Sequence, residues 1–193
     1  MKFNKKEYTV KIIEHYEAKL FVEKYHYSGS AGNTSILCAG LFKKNNLELL
    51  GVSIWMCAPC GLAKKYSNKM NDILTLSRFA ILPNMPTNTA SFLLGQSIRI
   101  LEKMQLYKML ITYADQRMNH TGVIYKATNW IYDGLTIPYY AWIDNNGKQI
   151  SRYRTKSSTH DFMDKNYKRV GPYRKHKFIF YLKVKRKRQQ TLF

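Results

Sequence analysis

The sequence predicts an α/β (α+β) fold: a mixed central sheet with helices on both of its faces. Short apolar runs of strand length alternate with amphipathic helical stretches, two adjacent runs form a hairpin, and a strand-helix-strand order follows. A length of 193 residues, with 45% hydrophobic and 23% charged residues, suits one globular domain. We expect residues 1–184 to form this domain and residues 185–193 to form a basic tail.

The first half of the chain supplies four of the predicted strands. Residues 8–13 alternate apolar and polar side chains as a strand does, and residues 15–25 carry apolar side chains at helical spacing. Two strand-like runs, 34–42 and 47–56, are joined by a hairpin turn at 44–46. A further apolar run, 73–82, stops at Pro83.

The second half contains the predicted crossover. Thr87, Asn88 or Thr89 can cap a helix whose apolar stripe runs over residues 90–104. Strands are expected at 109–114, 139–143, 149–153 and 178–184, with a helix at 121–128. An Asn-Gly turn at 146–147 predicts a hairpin between the second and third of these strands. This order of elements is similar to the splayed, mixed sheet of the N-acetyltransferases (the GNAT-like fold).

The charge balance indicates a polyanionic partner. The chain has 32 Lys and Arg against 12 Asp and Glu, a net charge of +20, and residues 152–193 contribute 14 basic residues and two acidic ones. Nucleic acid is the first candidate. No long apolar run or signal peptide is present, so we expect no membrane partner. A solvated basic face is the alternative. The predicted phosphate contacts are Arg152, Arg154, Lys156, Lys175, His176 and Lys177.

Three cysteines, Cys38, Cys57 and Cys60, do not resemble a secreted disulfide framework, so a reducing, cytoplasmic location is expected. Cys57 and Cys60 have the spacing of a zinc or redox pair. A structural zinc site needs four ligands and no second pair exists, so buried thiols are favoured.

Residues 110–130 are the strongest local indication of a site. An apolar run ends at the carboxylate of Asp115, and a polar turn with His120 and Gly122 precedes a helix-like stretch. Open α/β sheets bind ligands at such strand ends. Asp115 could accept a proton there; a solvated or helix-capping carboxylate is the alternative.

Several ordered segments together resemble the Mom family of bacteriophage DNA adenine modification proteins. The most specific covers residues 113–130. The others are His26-Tyr27-Ser28, a Leu-Ser-Arg-Phe strand at 76–79, an Asn-x-x-Ser-Phe helix start at 88–92, and a Lys-His-Lys strand at 175–182.

The resemblance implies a GNAT-like enzyme that adds a carbamoylmethyl (glycinamide-type) group to the N6 amine of adenine in phage DNA, protecting it from host restriction. The substrate would be double-stranded DNA in the bacterial host cytoplasm. The implied catalytic residues are Asp115, His26, Tyr27 and Tyr125. The implied base-binding residues are Ser28, Asn129, Trp130 and His120. The implied donor-binding residues are Ser77, Arg78, Asn88 and Ser91.

Each of these residues also has an ordinary structural interpretation. His26 could be a turn histidine, and His120 could have a capping or orienting role. Tyr27 and Tyr125 could be half-buried aromatics, and Asn129 could cap a helix C-terminus. Arg78 could be a strand arginine in an ion pair.

The donor is left open by the sequence. Acetyltransferases grip coenzyme A through a glycine-rich loop at a helix N-terminus, whereas residues 83–91 contain no glycine. The donor could be an acyl-CoA or an aminoacyl-tRNA, with tRNA as a partner. The resemblance also leaves room for an iron centre through His26.

The last five residues, Gln-Gln-Thr-Leu-Phe, resemble the peptide by which bacterial DNA-processing proteins dock on the sliding clamp, with Gln189, Leu192 and Phe193 as the contacts. A frayed terminus is the alternative. Two other functions fit the composition: a non-catalytic, basic DNA-binding anti-restriction protein, and a GNAT-like acyltransferase acting on tRNA.

Overall fold

A computed structural model describes residues 3–67, 69–150 and 155–183, apart from the side chain at position 70. The chain divides into two compact units. Of the described residues, the first unit takes those up to 112, residues 123–132 and residues 178–183; the second takes residues 113–122 and those between 133 and 177. No helix within the described ranges is long and apolar enough to cross a membrane.

Ten strands occur in the described part of the chain. They are β1 (Tyr8–Ile12), β2 (Leu37–Lys43), β3 (Leu49–Cys57), β4 (Ile73–Ile81), β5 (Met109–Asp115), β6 (Ile131–Leu135), β7 (Tyr139–Ile143), β8 (Gln149–Ile150), β9 (Lys168–Tyr173) and β10 (Lys175–Tyr181). Seven of them form one sheet in the order β1-β2-β3-β4-β5-β10-β6, and the other three form a sheet in the order β8-β7-β9.

The larger sheet is mixed and splayed, as the sequence predicts. Strands β1 to β4 pair antiparallel in succession. Strands β4 and β5 are parallel and pair only over three residues, Ile73–Thr75 with Met109–Ile111, although both strands continue beyond them. Pairing therefore stops part-way along the two parallel strands.

Helices lie on both faces of this sheet. The described helices are α1 (His15–Tyr25), α2 (Cys60–Ala63), α3 (Thr89–Met104), α4 (Val123–Lys126) and α5 (His160–Asn166). Helix α1 buries Ala18 and Val22 in a cluster with Val52 of β3. The next residue of β3, Ser53, hydrogen-bonds through its hydroxyl to Ser97 of α3 at 2.8 Å. Successive strand residues point to opposite faces, so α1 and α3 cover opposite faces.

The second unit contains the small antiparallel sheet and α5. The predicted hairpin across the Asn-Gly turn is present, because β7 pairs with β8 through Trp142 and Ile150. Strand β9 pairs with the other edge of β7. The indole N–H of Trp142 donates to Asp164 of α5 at 2.7 Å, which ties the helix to the sheet.

Some predicted bounds are wrong. The last described strand is 175–181 rather than 178–184, because its first three residues are polar, half-buried side chains that an apolar pattern does not include. The helix predicted at 121–128 is the single turn α4, and the hydroxyl of Thr128 bonds back to the carbonyl of Ile124 at 2.8 Å. Cys57 and Cys60 are exposed, so the prediction that they are buried thiols is wrong, whereas Cys38 is buried.

Candidate active site

The carboxylate of Asp115 faces three partners within the second unit, Arg117, Tyr139 and Lys175. Asp115 ends β5 and is 8% exposed. The Tyr139 hydroxyl lies 2.6 and 2.7 Å from its two oxygens, and the Lys175 ammonium lies 3.7 Å from Oδ2. Oδ1 also accepts the backbone N–H of Arg117 at 3.0 Å, so the capping interpretation holds in part. The solvated alternative is wrong, because the group is buried.

Backbone hydrogen bonds hold the segments that carry these three side chains. The N–H of Gln116 donates to the carbonyl of Arg174 at 3.1 Å. The N–H of Thr136 donates to the carbonyl of Lys175 at 2.9 Å, and the N–H of Lys175 donates to the Thr136 hydroxyl at 3.0 Å. Asp115, Tyr139 and Lys175 are therefore fixed to one another within the second unit.

His120 is exposed and closes the loop after Asp115. Its backbone N–H donates to the carbonyl of Asp115 at 3.1 Å. This contact is made by the backbone and does not involve the imidazole.

His26, Tyr27 and Ser28 form a turn directly after α1 in the first unit. Nδ1 of His26 accepts the backbone N–H of Ser28 at 3.1 Å, and the Ser28 hydroxyl lies 2.8 Å from it. A neutral ring that accepts at Nδ1 carries its proton on Nε2. The rings of His26 and Tyr27 lie 4.2 Å apart, and Tyr27 is 47% exposed.

Arg78 of β4 fastens this turn to the sheet. Its Nε donates to the carbonyl of Ser30 at 2.7 Å, and its Nη1 donates to the carbonyl of Ser77 at 2.7 Å. The Ser28 hydroxyl donates to the same Ser30 carbonyl at 3.0 Å. The structure thus brings the predicted donor-binding pair, Ser77 and Arg78, next to the turn of His26.

Tyr125 and Trp130 are core residues of the first unit. Their ring centroids lie 5.6 Å apart, and Tyr125 also packs against Phe178 at 5.2 Å. Burial raises the pKa of Tyr125, a hydrogen bond with Thr112 opposes the shift, and the nearby Tyr27 phenol adds to it. Within the described residues, the buried indole N–H of Trp130 has no hydrogen-bond partner.

The remaining predicted residues lie at helix ends. Asn129 follows α4 with a left-handed backbone (φ +62°), and its N–H donates to the carbonyl of Lys126 at 3.2 Å, as a C-terminal cap does. Asn88 precedes α3 with φ +77°, and its side chain makes no capping bond. The Ser91 hydroxyl donates to the carbonyl of Asn88 at 3.0 Å.

The predicted phosphate contacts differ in their surroundings. Lys156 is exposed. Lys177 is ion-paired with Asp133 at 2.5 Å, and Nε2 of His176 lies 3.3 Å from the side-chain amide of Gln116. The predicted contacts Arg152 and Arg154, and the clamp-binding residues Gln189, Leu192 and Phe193, lie outside the described residues.

The model of the Mom protein family matches residues 7–192. This chain belongs to the Mom protein family. It is 25% identical over 136 residues to methylcarbamoylase mom of Escherichia phage Mu, a match that covers 68% of this chain and 56% of that protein. The resemblance stated from the motifs is confirmed.

Solved structures confirm the fold of this Mom family member. The ribosomal-protein-S18-alanine N-acetyltransferase of Escherichia coli matches with a TM-score of 0.54 and 13% identity, covering 96% of this chain and 99% of that one. Spermidine N-acetyltransferase of Vibrio cholerae, solved with CoA and spermine, matches with a TM-score of 0.55 and 7% identity, covering 93% and 98%. The predicted GNAT-like architecture is therefore confirmed.

The described residues of this Mom family member do not fit an iron centre. Residues 3–67, 69–150 and 155–183 contain no group of three or more His, Cys, Asp or Glu that could hold a metal ion. Nδ1 of His26 already accepts a hydrogen bond from Ser28. The iron centre through His26 is thus unsupported, and no chemical step is assigned to a metal.

Sequence reasoning missed Tyr139 and gave Lys175 a different role. Tyr139 is the first residue of a predicted strand, and nothing in the sequence links it to Asp115. A lysine in a basic stretch gives no sign that it faces a carboxylate. Only the chain path, which places β7 and the start of β10 beside the end of β5, shows either contact.

Proposed function

We propose that this Mom family protein is a transferase that modifies DNA by adding a carbamoylmethyl-type group to the N6 amine of adenine. The name of the phage Mu relative, methylcarbamoylase, supports a carbamoyl-containing group, and the acetyltransferase-like fold supports a transfer reaction. The net charge of +20 supports a nucleic-acid substrate.

The observation that carries the proposal is the buried carboxylate of Asp115 at the end of β5. The N6 lone pair is delocalised into the purine ring, so the amine needs a proton acceptor in order to attack. In the proposed step, N6 bonds to the donor carbon and the bond from that carbon to its leaving group breaks. Asp115 takes the N6 proton, and the leaving group departs with the electron pair.

Aromatic side chains would hold the base. An enzyme that works on adenine must take the base out of the helical stack. The exposed ring of Tyr27 suits stacking on a flipped base. The indole N–H of Trp130 has no acceptor within the described residues, and a ring nitrogen of adenine could serve as one once the surrounding rings admit the base. The phenol of Tyr125 is protonated at neutral pH, as any tyrosine with an ordinary or raised pKa is, so it suits a hydrogen-bond acceptor of the base.

The donor in this proposal is an activated acyl compound, either an acyl-CoA or an aminoacyl-tRNA. Ser77, Arg78, Asn88 and Ser91 would face it. A glycyl group on N6 and a carbamoylmethyl group on N6 are isomers of equal mass. Transfer of an activated glycyl group would give the proposed product after a redox-neutral rearrangement that breaks the N6–carbonyl and methylene–amine bonds and forms N6–methylene and carbonyl–amine bonds. Fragmentation of the modified nucleoside would distinguish the two forms.

The partners follow from the same proposal. Double-stranded DNA in the cytoplasm of a bacterial host is the substrate, with exposed basic residues such as Lys156 on its phosphates. Docking of Gln189, Leu192 and Phe193 on the sliding clamp would raise the local concentration of the enzyme at newly copied DNA.

Mass spectrometry of DNA tests the proposal. The protein is expressed in a bacterium, and its plasmid is digested to nucleosides. We expect a heavier deoxyadenosine, and a loss of about 10²–10⁴-fold in its rate of formation for Asp115→Asn, since that is the usual contribution of a general base. Asp161→Asn on α5 is the matched control and should leave the rate unchanged. Unmodified DNA from a soluble protein that binds DNA would contradict the proposal and favour the non-catalytic anti-restriction protein.

A further inference from the structure

The contacts of Asp115 indicate how its carboxylate is held. Of its two oxygens, Oδ1 faces the Tyr139 hydroxyl at 2.6 Å and the Arg117 N–H at 3.0 Å, and Oδ2 faces the same hydroxyl at 2.7 Å and Lys175 at 3.7 Å. Hydrogen bonds to an ionised group are shorter and stronger than bonds between neutral groups. The Tyr139 phenol and the Arg117 N–H therefore set the orientation of the carboxylate through hydrogen bonds, and the Lys175 ammonium lies within ion-pair distance of Oδ2.

Both partners are themselves fixed. The ring of Tyr139 packs beside that of Tyr173 at 6.0 Å between centroids, and the Lys175 ammonium lies 5.1 Å from the centre of the Tyr139 ring. The backbone of Lys175 is bound twice to Thr136. A carboxylate held by two fixed partners keeps one orientation, which a proton acceptor needs at the moment of reaction.

We propose that Tyr139 and Lys175 are positioning residues for Asp115: the Tyr139 hydroxyl fixes the carboxylate plane, and the Lys175 ammonium balances its charge. The inference rests on the proposed role of Asp115 as acceptor of the N6 proton. During that step Tyr139 keeps its own proton and donates it to the carboxylate as a hydrogen bond. Lys175 has this role in place of the phosphate contact expected from the sequence.

Tyr139→Phe tests the hydroxyl, and its neighbour Tyr140→Phe is the matched control. Tyr140 is exposed and packs under the Arg169 guanidinium at 3.7 Å, so the control removes a hydroxyl one residue away from the carboxylate contact. We expect Tyr139→Phe to lower the rate of deoxyadenosine modification by about 10–100-fold, because a hydrogen bond to a charged group contributes about 1.5–3 kcal/mol. Affinity for a labelled duplex oligonucleotide should stay unchanged. Equal rates for Tyr139→Phe and Tyr140→Phe would overturn the inference.

Lys175→Met provides an independent test, with Lys175→Arg as the variant that keeps the charge. We expect Lys175→Met to lose modification rate and Lys175→Arg to recover most of it. The salt dependence of duplex binding separates the two roles of Lys175. If Lys175 contacts a phosphate, Lys175→Met should make the slope of log K against log salt less steep by about 0.9. If Lys175 only positions Asp115, the slope should stay unchanged. A lowered slope with an unchanged modification rate would overturn the inference.

Asp115→Asn, measured beside these variants, separates the proposed role of Asp115 from the positioning role of Tyr139 and Lys175. If Asp115→Asn still modifies DNA at the wild-type rate, the proposed role of Asp115 is wrong. If Asp115→Asn is inactive while Tyr139→Phe and Lys175→Met are fully active, only the positioning role is wrong.

Discussion

Replacement of Arg78 by methionine should loosen the turn that carries His26 and Tyr27. The variant keeps the apolar stem of the side chain and removes the guanidinium that donates to the carbonyl of Ser30 at 2.7 Å. That bond joins β4 to a turn 48 positions earlier in the chain, so it ties the turn to the sheet. The second bond, to Ser77, is local and adds little to this tie.

The expected destabilisation can be worked from these contacts. Hydrogen bonds from charged groups contribute about 1.5–3 kcal/mol. Arg78 is half-buried, and the Ser28 hydroxyl still donates to the Ser30 carbonyl in the variant, so no carbonyl is left without a donor. We therefore expect the free energy of unfolding to fall by an amount near the lower end of this range, about 1.5 kcal/mol. This change lowers Tm by about 3–6 °C in a protein of this size.

Urea unfolding and hydrogen exchange provide the measurements. Arg99→Met, which removes an exposed guanidinium from α3, is the matched control and should lose less than about 0.5 kcal/mol. Amide exchange in a peptide covering residues 26–30 should accelerate in Arg78→Met alone. The anchoring role is refuted if the two variants unfold at the same urea concentration and exchange in the turn is unchanged. The proposed contact with the acyl donor would then be the role left for Arg78.

Two further predictions concern the same molecule. Gly171 has φ +122°, and an added Cβ would lie 3.1 Å from the carbonyl oxygen of Tyr139, so Gly171→Ala should cost about 1–3 kcal/mol in urea unfolding and lower activity by displacing Tyr139. Gly61→Ala, which meets no atom within 4 Å, is its control; similar effects in both would contradict the argument. Burial, with a contribution from the Tyr27 phenol, raises the pKa of Tyr125. The protonated Tyr125 therefore stabilises the folded protein fully below the ordinary pKa of about 10, and this contribution declines as the pH rises beyond that value. The urea midpoint of the wild type should therefore fall more than that of Tyr125→Phe between pH values below and above about 10, and parallel curves would contradict this.

The parts of the fold that the sequence predicts best have strong hydrophobic periodicity. Helix α1 has the predicted bounds, and β5 differs from its prediction by one residue. Strand β9, Lys-Arg-Val-Gly-Pro-Tyr, was not predicted, since charges and a Gly-Pro pair are turn signals in a sequence. Its strand conformation comes from pairing with β7, a tertiary contact that local pattern does not contain.

In the candidate site, too, local features could be predicted from the sequence and tertiary contacts could not. Asp115 could be found because a carboxylate directly after an apolar strand is a local feature. Tyr139, 24 residues later, could not be found, because its contact depends on how β7 lies beside the end of β5. Arg78 was found through its motif, but its bond to Ser30 required the path of the loop after α1.

Lysines that share a basic stretch need not share a role, and this affects how mutagenesis of this family member is interpreted. Lys175 and Lys177 look equivalent in the sequence, yet each faces a carboxylate, Asp115 in one case and Asp133 in the other. A lysine already opposite a carboxylate releases fewer counterions on binding a phosphate than a solvated lysine does. Loss of modification in a Lys175 variant therefore does not by itself indicate loss of DNA binding. Only the salt dependence of binding, measured beside the modification rate, assigns the lysine to the DNA or to the carboxylate.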